Sequence, residues 1–266
     1  MESEKALESE KGAVAMSGLT RREALRDSAL AVVAGLPSVG AGAQEEKPAR
    51  RLKVVVAGAH PDDPESACGG TMALYADAGY EVVSLYLTRG EAGIPGKSHE
   101  EAARIRTAEA GEACRVLGAR PMFLGQIDGA TEVNAQRYVE TRRVLDAEKP
   151  DLVFTHWPID AHRDHRAISL LIYDAWLAGG KAFTLYYFEV ESGDQTQQFW
   201  PTHYVDITST EPRKRQACLA MRSQNPERGF YALHDQMQRF RGKEAGVRLA
   251  EAFIRHNQAG PLFSRG

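Results

Sequence analysis

Leu52-Lys53-Val54-Val55-Val56-Ala57-Gly58-Ala59-His60-Pro61-Asp62-Asp63-Pro64-Glu65 is the stretch on which the reading turns. Residues 52–57, apolar but for Lys53 and centred on the β-branched Val54-Val55-Val56, have the pattern of a strand buried on both faces. The run leads directly into a loop of imidazole and carboxylates. A dinucleotide-binding unit would carry Gly-x-Gly-x-x-Gly here, so that backbone could approach a phosphate. This chain carries His60, Asp62 and Asp63 instead. Pro61 and Pro64 stiffen the turn and restrict where those side chains can point. The loop follows the carboxyl end of a strand, where open α/β sheets bind ligands.

Outward from this strand the pattern repeats. Helices are expected over 68–78, 100–117, 134–148 and 165–177, alternating with strands over 81–87, 121–124, 152–155 and 183–190. Gly79, Gly118, Lys149-Pro150 and Gly179-Gly180 supply the stops. A short strand at 204–207 and helices over 212–222 and 243–255 complete the series. Strands alternating with helices of this length predict an α/β fold, a mostly parallel, Rossmann-like sheet with helices on both faces. The longest irregular stretches, 88–98 and 191–200, are candidate rims of a cleft.

The fourth predicted strand runs into a second cluster, His156-Trp157-Pro158-Ile159-Asp160-Ala161-His162-Arg163-Asp164-His165. Both loops lie just past strand ends and can face each other across the sheet edge. Together they offer two histidines and one aspartate for a metal, with at least one position open. That is the ligand count of a catalytic zinc site, not of a closed structural one. On residue type and spacing alone, His156, His162 and His165 compete for the ligand places, and His156 could instead end its strand inside the core. An isolated Asp-Asp turn would read as a solvated helix cap; His60 and the second cluster favour the metal reading. Asp62, His162 and Asp164 are what a hydrolase needs beyond its metal.

His-Pro-Asp-Asp after a first strand, with His-x-Asp-His after a later one, resembles the PIG-L, or LmbE-like, family of N-acetylglucosaminyl deacetylases. The resemblance spans about 52–255 and extends to Gly69-Gly70-Thr71, Thr88-Arg89-Gly90-Glu91, Arg106-Thr107-Ala108-Glu109, Asp128 and Ser223-Gln224. It implies that His60, Asp63 and His165 ligate Zn2+, or Fe2+ or another divalent transition metal. It implies that Asp62 is the general base. His162 would stabilise the oxyanion or protonate the leaving amine, with Asp164 orienting it. Arg106 and Asp128 match positions that hold the sugar in some members. The implied reaction is hydrolytic removal of an acetyl or other acyl group from an N-acetylglucosamine-type amide by metal-activated water. Two departures stand out. The usual His-Pro-Asp-Asp-Glu is interrupted by Pro64, so the acid is Glu65, and Met221 stands where many members carry a histidine two residues before Ser-Gln.

Competing functions share parts of this pattern. The same mechanism could serve another amide, such as a thiol-sugar conjugate or a glycopeptide acyl chain. Two histidines and a carboxylate are also the ligand set of non-haem iron oxygenases, but Asp62 and His162 have an obvious use only in hydrolysis. A carbohydrate-binding protein that had lost catalysis would be expected to lack Asp62 or His162. A formal net charge of -3 over 266 residues gives no sign of a general nucleic-acid binder. Three widely spaced cysteines, Cys68, Cys114 and Cys218, argue against a disulfide framework. No apolar run approaches the roughly 20 residues of a membrane span. The expected partner is a small-molecule or glycan substrate carrying an N-acyl group, with the oligomeric state open.

The first fifty residues read differently. Thr20-Arg21-Arg22-Glu23-Ala24-Leu25 precedes an apolar run at 29–36, then Pro37 and a small-residue stretch ending Ala41-Gly42-Ala43. Charged, apolar and Ala-x-Ala segments in that order are those of an export signal, and the paired arginines resemble a twin-arginine leader. The expected organisation is a leader over 1–43, a linker over 44–51 and a catalytic domain over 52–266, exported to the periplasm or beyond.

Overall fold

In a computed structural model of the chain, residues 51–256 are described. The candidate leader and all but the last residue of the linker lie outside the described residues.

The β-branched run forms β1 (Lys53–Gly58), and β2 (Glu81–Tyr86), β3 (Arg120–Phe123), β4 (Leu152–His156) and β5 (Thr184–Phe188) lie parallel to it. Beyond β5 the sheet is completed by β6 (His203–Asp206) and β7 (Ala250–Arg255), with β7 running antiparallel between β5 and β6. The strand order is β3-β2-β1-β4-β5-β7-β6.

Alternation along β1 shows why the run must be apolar throughout. Val54 and Val56 enter an apolar cluster with α1 (Asp63–Asp77), α2 (His99–Leu117) and α5 (Glu211–Leu219). Val55 and Ala57, pointing the other way, join Leu145 of α3 (Ala135–Glu148) and Ile168, Leu171 and Ile172 of α4 (Arg163–Ala178). Both faces are covered, as the near-continuous apolar run predicts. Full burial of each Val or Ile contributes about 1.5–3 kcal/mol. The chain moves from β1 outward to β2 and β3, then returns to place β4 on the other side of β1. The order reverses between β1 and β4, and the crevice beyond that reversal is where such sheets hold ligands. The two loops of the sequence clusters leave from these two strands.

Two expected elements differ. The first helix begins at Asp63, not at 68, because Pro64 takes a first-turn position, where its missing N–H costs nothing. Asp63 and Glu65 are therefore helical residues. The helix expected over 243–255 is instead the end of α6 (Phe230–Ala245) followed by strand β7. Gly246, at φ +73°, ends α6 in a left-handed turn that favours glycine. The following Ala-Glu-Ala-Phe would suit a helix by propensity, but it fills the gap between β5 and β6, and tertiary pairing overrides propensity. Glu251, buried in β7, accepts the Gly70 and Thr71 N–H groups at 2.9 and 2.8 Å and lies 2.8 Å from Lys214 Nζ. The Gly69-Gly70-Thr71 motif is thus a close-packing motif: a Cβ on Gly70 would fall 2.6 Å from Ile207.

Candidate active site

The loop after β1 is held by backbone constraints before any ligand is considered. Gly58 lets α1 start against the end of its own strand, since a Cβ there would stand 2.6 Å from Pro64 Cδ. Asp62 occupies φ +120°, a region that costs a non-glycine residue on the order of 1–3 kcal/mol. Glu65 offsets this by accepting the Asp62 N–H at 3.0 Å, and its other oxygen takes the Tyr86 hydroxyl at 2.5 Å. The inserted Pro64 has therefore not removed Glu65 from the site, because the helical turn brings it back beneath Asp62.

His60 and His165 each come against Asp63. His60 Nδ1 lies 3.4 Å from Asp63 Oδ2, and His165 Nε2 lies 3.5 Å from Asp63 Oδ1. The His60 and His165 ring centroids are 5.4 Å apart. Tetrahedral zinc with bonds of about 2.0–2.1 Å places its ligands about 3.3 Å from one another. Each Asp63 contact is near that length, but on a different oxygen. Among the described residues, the groups whose donor atoms all lie within 4.8 Å of one another are His60, His162 and His165, then Asp63, His156 and His165, then His60, Asp128 and Asp164. The opposite ring nitrogens face acceptors. His60 Nε2 is 3.2 Å from Asp128 Oδ1 and 3.3 Å from Asp164 Oδ2, and His165 Nδ1 is 3.2 Å from Asp160 Oδ1. Acids behind a ring nitrogen are the usual arrangement behind a metal-ligating histidine. Burial works against a proton on His60, but Asp128, Asp164 and Asp63 together lift its pKa well above the usual value. The Asp160 carboxylate stands beside His165 Nδ1 without forming a hydrogen bond to it.

Asp164 corrects one expectation. Its carboxylate does not orient His162; it contacts His60 and accepts from Gly129 N at 2.8 Å and Thr131 Oγ1 at 2.6 Å. The link to His162 runs through backbone, the Asp164 N–H donating to His162 Nδ1 at 3.3 Å. Burial first, and then the fields of His60 and His165, lower the His162 pKa, and with Nδ1 accepting from the Asp164 N–H the neutral ring carries its proton on Nε2. Asp128 is likewise turned toward His60, while its other oxygen takes the Ala92 N–H at 3.1 Å.

Arg106 is engaged as well. Its guanidinium lies 2.7 Å from Asp62 Oδ2 and also donates to the Pro61 carbonyl. It is 3 % exposed and packed so closely on Gly90 and Gly93 that a Cβ on either would clash with it. Burial raises the Asp62 pKa to about 6 against the opposing pull of Arg106. Asp63 goes the other way: burial would raise it, but His165 and His156 hold it well below the carboxylate range.

His156 is fully buried, stacked on His165 at 4.0 Å, with Nε2 3.2 Å from Asp63 Oδ2. His156, His165 and Asp63 form a second compact donor group beside that of His60, His162 and His165. Burial and the neighbouring His165 lower the His156 pKa to about 4. Sequence reasoning left its role open and gave none to Asp160, His234 or Glu191. All four lie at or against a cleft of about 510 Å3, which His60, Asp62, Asp63, Arg106, Asp128, His162 and His165 also line. Asp160 could have been noticed as an acid two residues before His162; His234 carries no local signal. Met221 is fully buried in the apolar cluster of α1 and α2 and does not line the cleft. Ser223 is fixed by Glu109 at 2.8 and 2.6 Å, which lets Gln224 reach the cleft and donate to the Gly93 carbonyl at 3.1 Å.

The PIG-L family model, described as GlcNAc-PI de-N-acetylase, matches residues 55–176, which hold both loops. A conserved protein of Thermus thermophilus is 30 % identical, with a TM-score of 0.68 over 81 % of this chain and all of that one. The chain belongs to the PIG-L family. Another PIG-L likeness is the N,N'-diacetylchitobiose deacetylase of Pyrococcus horikoshii, at 25 % identity and a TM-score of 0.68 over 77 % of this chain and 83 % of that one. The 4-carboxy-2-hydroxymuconate hydratase of Pseudomonas putida shares the fold at 21 % identity and a TM-score of 0.69, over 80 % of this chain and all of that one. The PIG-L fold alone therefore does not name a reaction; the side chains must.

Proposed function

We propose that the protein is a zinc-dependent deacylase of N-acetylglucosamine-type substrates, with His60, Asp63 and His165 as metal ligands. The observation that supports this is the contact of His60 Nδ1 and His165 Nε2 with the two oxygens of Asp63, at 3.4 and 3.5 Å, with Asp62 next in sequence and turned to Arg106. The family and the chitobiose deacetylase likeness support the same reading. Zinc held by these residues supplies a Lewis acid for the amide carbonyl and makes water a usable nucleophile near neutral pH.

The remaining work falls to the chain itself. Asp62 is the base, and a carboxyl raised to about 6 is better matched to neutral pH than an ordinary one. Its strained backbone and the Arg106 contact fix where it points. His162 presents an Nε2 proton toward the cleft, suited to an oxyanion or to the departing nitrogen. Asp164 and Asp128 act through His60, and Asp160 acts through His165. The test is acetate release from N-acetylglucosamine and its disaccharide by zinc-loaded protein, beside Asp62→Asn. The variant should keep its metal and lose on the order of 100-fold or more in turnover; wild-type turnover in the variant would overturn the assignment.

We propose also that the segment over 1–43 directs export by the twin-arginine route. A fusion of this segment to a reporter should be exported and should stay inside the cell when Arg21 and Arg22 become lysine.

A further inference from the structure

The charges around the cleft point to a restriction on the substrate. We propose that this site takes N-acylated sugars that are neutral or carry an amine and rejects those carrying phosphate or carboxylate, with Glu191 setting the discrimination. This rests on the deacylase reading and narrows its substrate class.

The cleft is lined by the carboxylates of Asp62, Asp63, Asp128 and Glu191, by one guanidinium, Arg106, and by the imidazoles of His60, His162, His165 and His234. A phosphate site requires free donors: a guanidinium, an ammonium or an uncapped helix N-terminus. None of these is free here among the described residues lining the cleft. Arg106 is committed to Asp62 and the Pro61 carbonyl and cannot swing past Gly90 and Gly93. Two helix N-termini reach the cleft, and both carry their own acids, Asp63 and Glu65 on α1 and Asp164 on α4. A dication held by His60, Asp63 and His165 would be partly neutralised by Asp63.

Glu191 is placed where it cannot easily retreat. It lies at φ +41°, and its carboxylate accepts Gln195 Nε2 at 2.6 Å. The turn that carries it closes through Gln195 N to Glu191 O at 2.9 Å and Thr196 N to Val190 O at 3.1 Å. The turn is latched to the histidine loop by Ala161 N to Gln195 O at 3.0 Å and by Thr196 Oγ1 to Asp160 Oδ2 at 3.0 Å. The wall that bears Glu191 is therefore tied to the carboxylate behind His165. A hydroxyl or an ammonium meets an acceptor on this wall, and an anion meets a carboxylate held in place.

The experiment compares products, which are not turned over. Binding of glucosamine and of its 1- and 6-phosphates to zinc-loaded wild type is measured by calorimetry at low salt. Glucosamine should bind at least tenfold more tightly than either phosphate. The ratio should narrow in Glu191→Gln, fall to one or below in Glu191→Lys, and shrink in 0.5 M salt as screening sets in. Equal or tighter binding of the phosphates by wild type overturns the proposal, and an unchanged ratio in both variants overturns the role of Glu191. Failure of the parent reading looks different: no acetate is released from any N-acetylated sugar even though the order of binding holds.

Discussion

The guanidinium of Arg106 and the carboxylate of Asp62, 44 residues apart in sequence, form a buried ion pair at 2.7 Å within the cleft. A charge removed from water is tolerated only while its partner stays. Arg106→Ala should therefore cost toward the lower end of the roughly 3–5 kcal/mol seen for one broken partner, since Asp62 keeps some contact with solvent. Arg106→Lys restores the charge but not the planar fork, and should recover only part of the loss. Urea unfolding of the metal-free variants measures both, and a loss under about 1 kcal/mol for Arg106→Ala would show that the pair is not a structural contact.

Asp160 should govern metal affinity without being a ligand. Its Oδ1 faces His165 Nδ1 at 3.2 Å, and loss of a carboxylate behind a ligating histidine lowers metal affinity typically about 10–100-fold. Asp160→Asn should show that loss in competition with a chromophoric chelator, with the fold retained by circular dichroism. Unchanged zinc affinity would sink the reading of His165 as a ligand through Nε2.

Glu65 makes a pH prediction. Burial raises its pKa from 4.5 to about 7, outweighing the hydrogen bond from Tyr86. The folded state then holds a proton that the unfolded state has released between about pH 4.5 and 7. Stability from this group is fully present below pH 4.5 and is lost as pH rises through about 7. The full shift corresponds to roughly 3 kcal/mol as an upper figure. The stability of wild type relative to Glu65→Gln, measured in chelator, should therefore fall across about pH 5 to 7. A flat difference would mean that Glu65 is ionised in the fold.

The Lys214–Glu251 pair should not be replaceable by apolar residues of similar size, although many buried pairs are. Glu251 also accepts two backbone N–H groups of α1, and a Lys214→Met, Glu251→Leu double variant would orphan both. It should be less stable than wild type by about 2 kcal/mol or more, and Lys214→Met alone should retain more stability than Glu251→Leu alone.

The sheet was legible where β-branched runs stood between clear stops, as at Val54–Val56 and Val153. The end of the chain was not, because Ala250–Arg255 becomes a strand only through partners far away in sequence. The site shows the same division. His60, Asp63 and His165 came as ligands only from the family resemblance, since local spacing leaves the three histidines of the second loop equal, and the structure sets His60 and His165 each against Asp63. The side-chain partner of Asp164 could not: His60 lies 104 residues away, while His162 is the neighbour that local spacing suggests. Glu191 sits in a stretch expected to be a rim, but its charge gained meaning only once Asp62, Asp63 and Asp128 were seen around the same cleft.

The placement of the two ligand loops on adjacent central strands has a consequence for how the protein matures. β1 and β4 are joined by contacts such as Lys53 N to Asp151, across 98 residues of chain. A nascent or partly unfolded polypeptide holds at most one half of the cation's grip, so tight zinc uptake reports completed pairing of the sheet's middle. On the proposed ligand set, metallation would thus be a checkpoint on the whole topology.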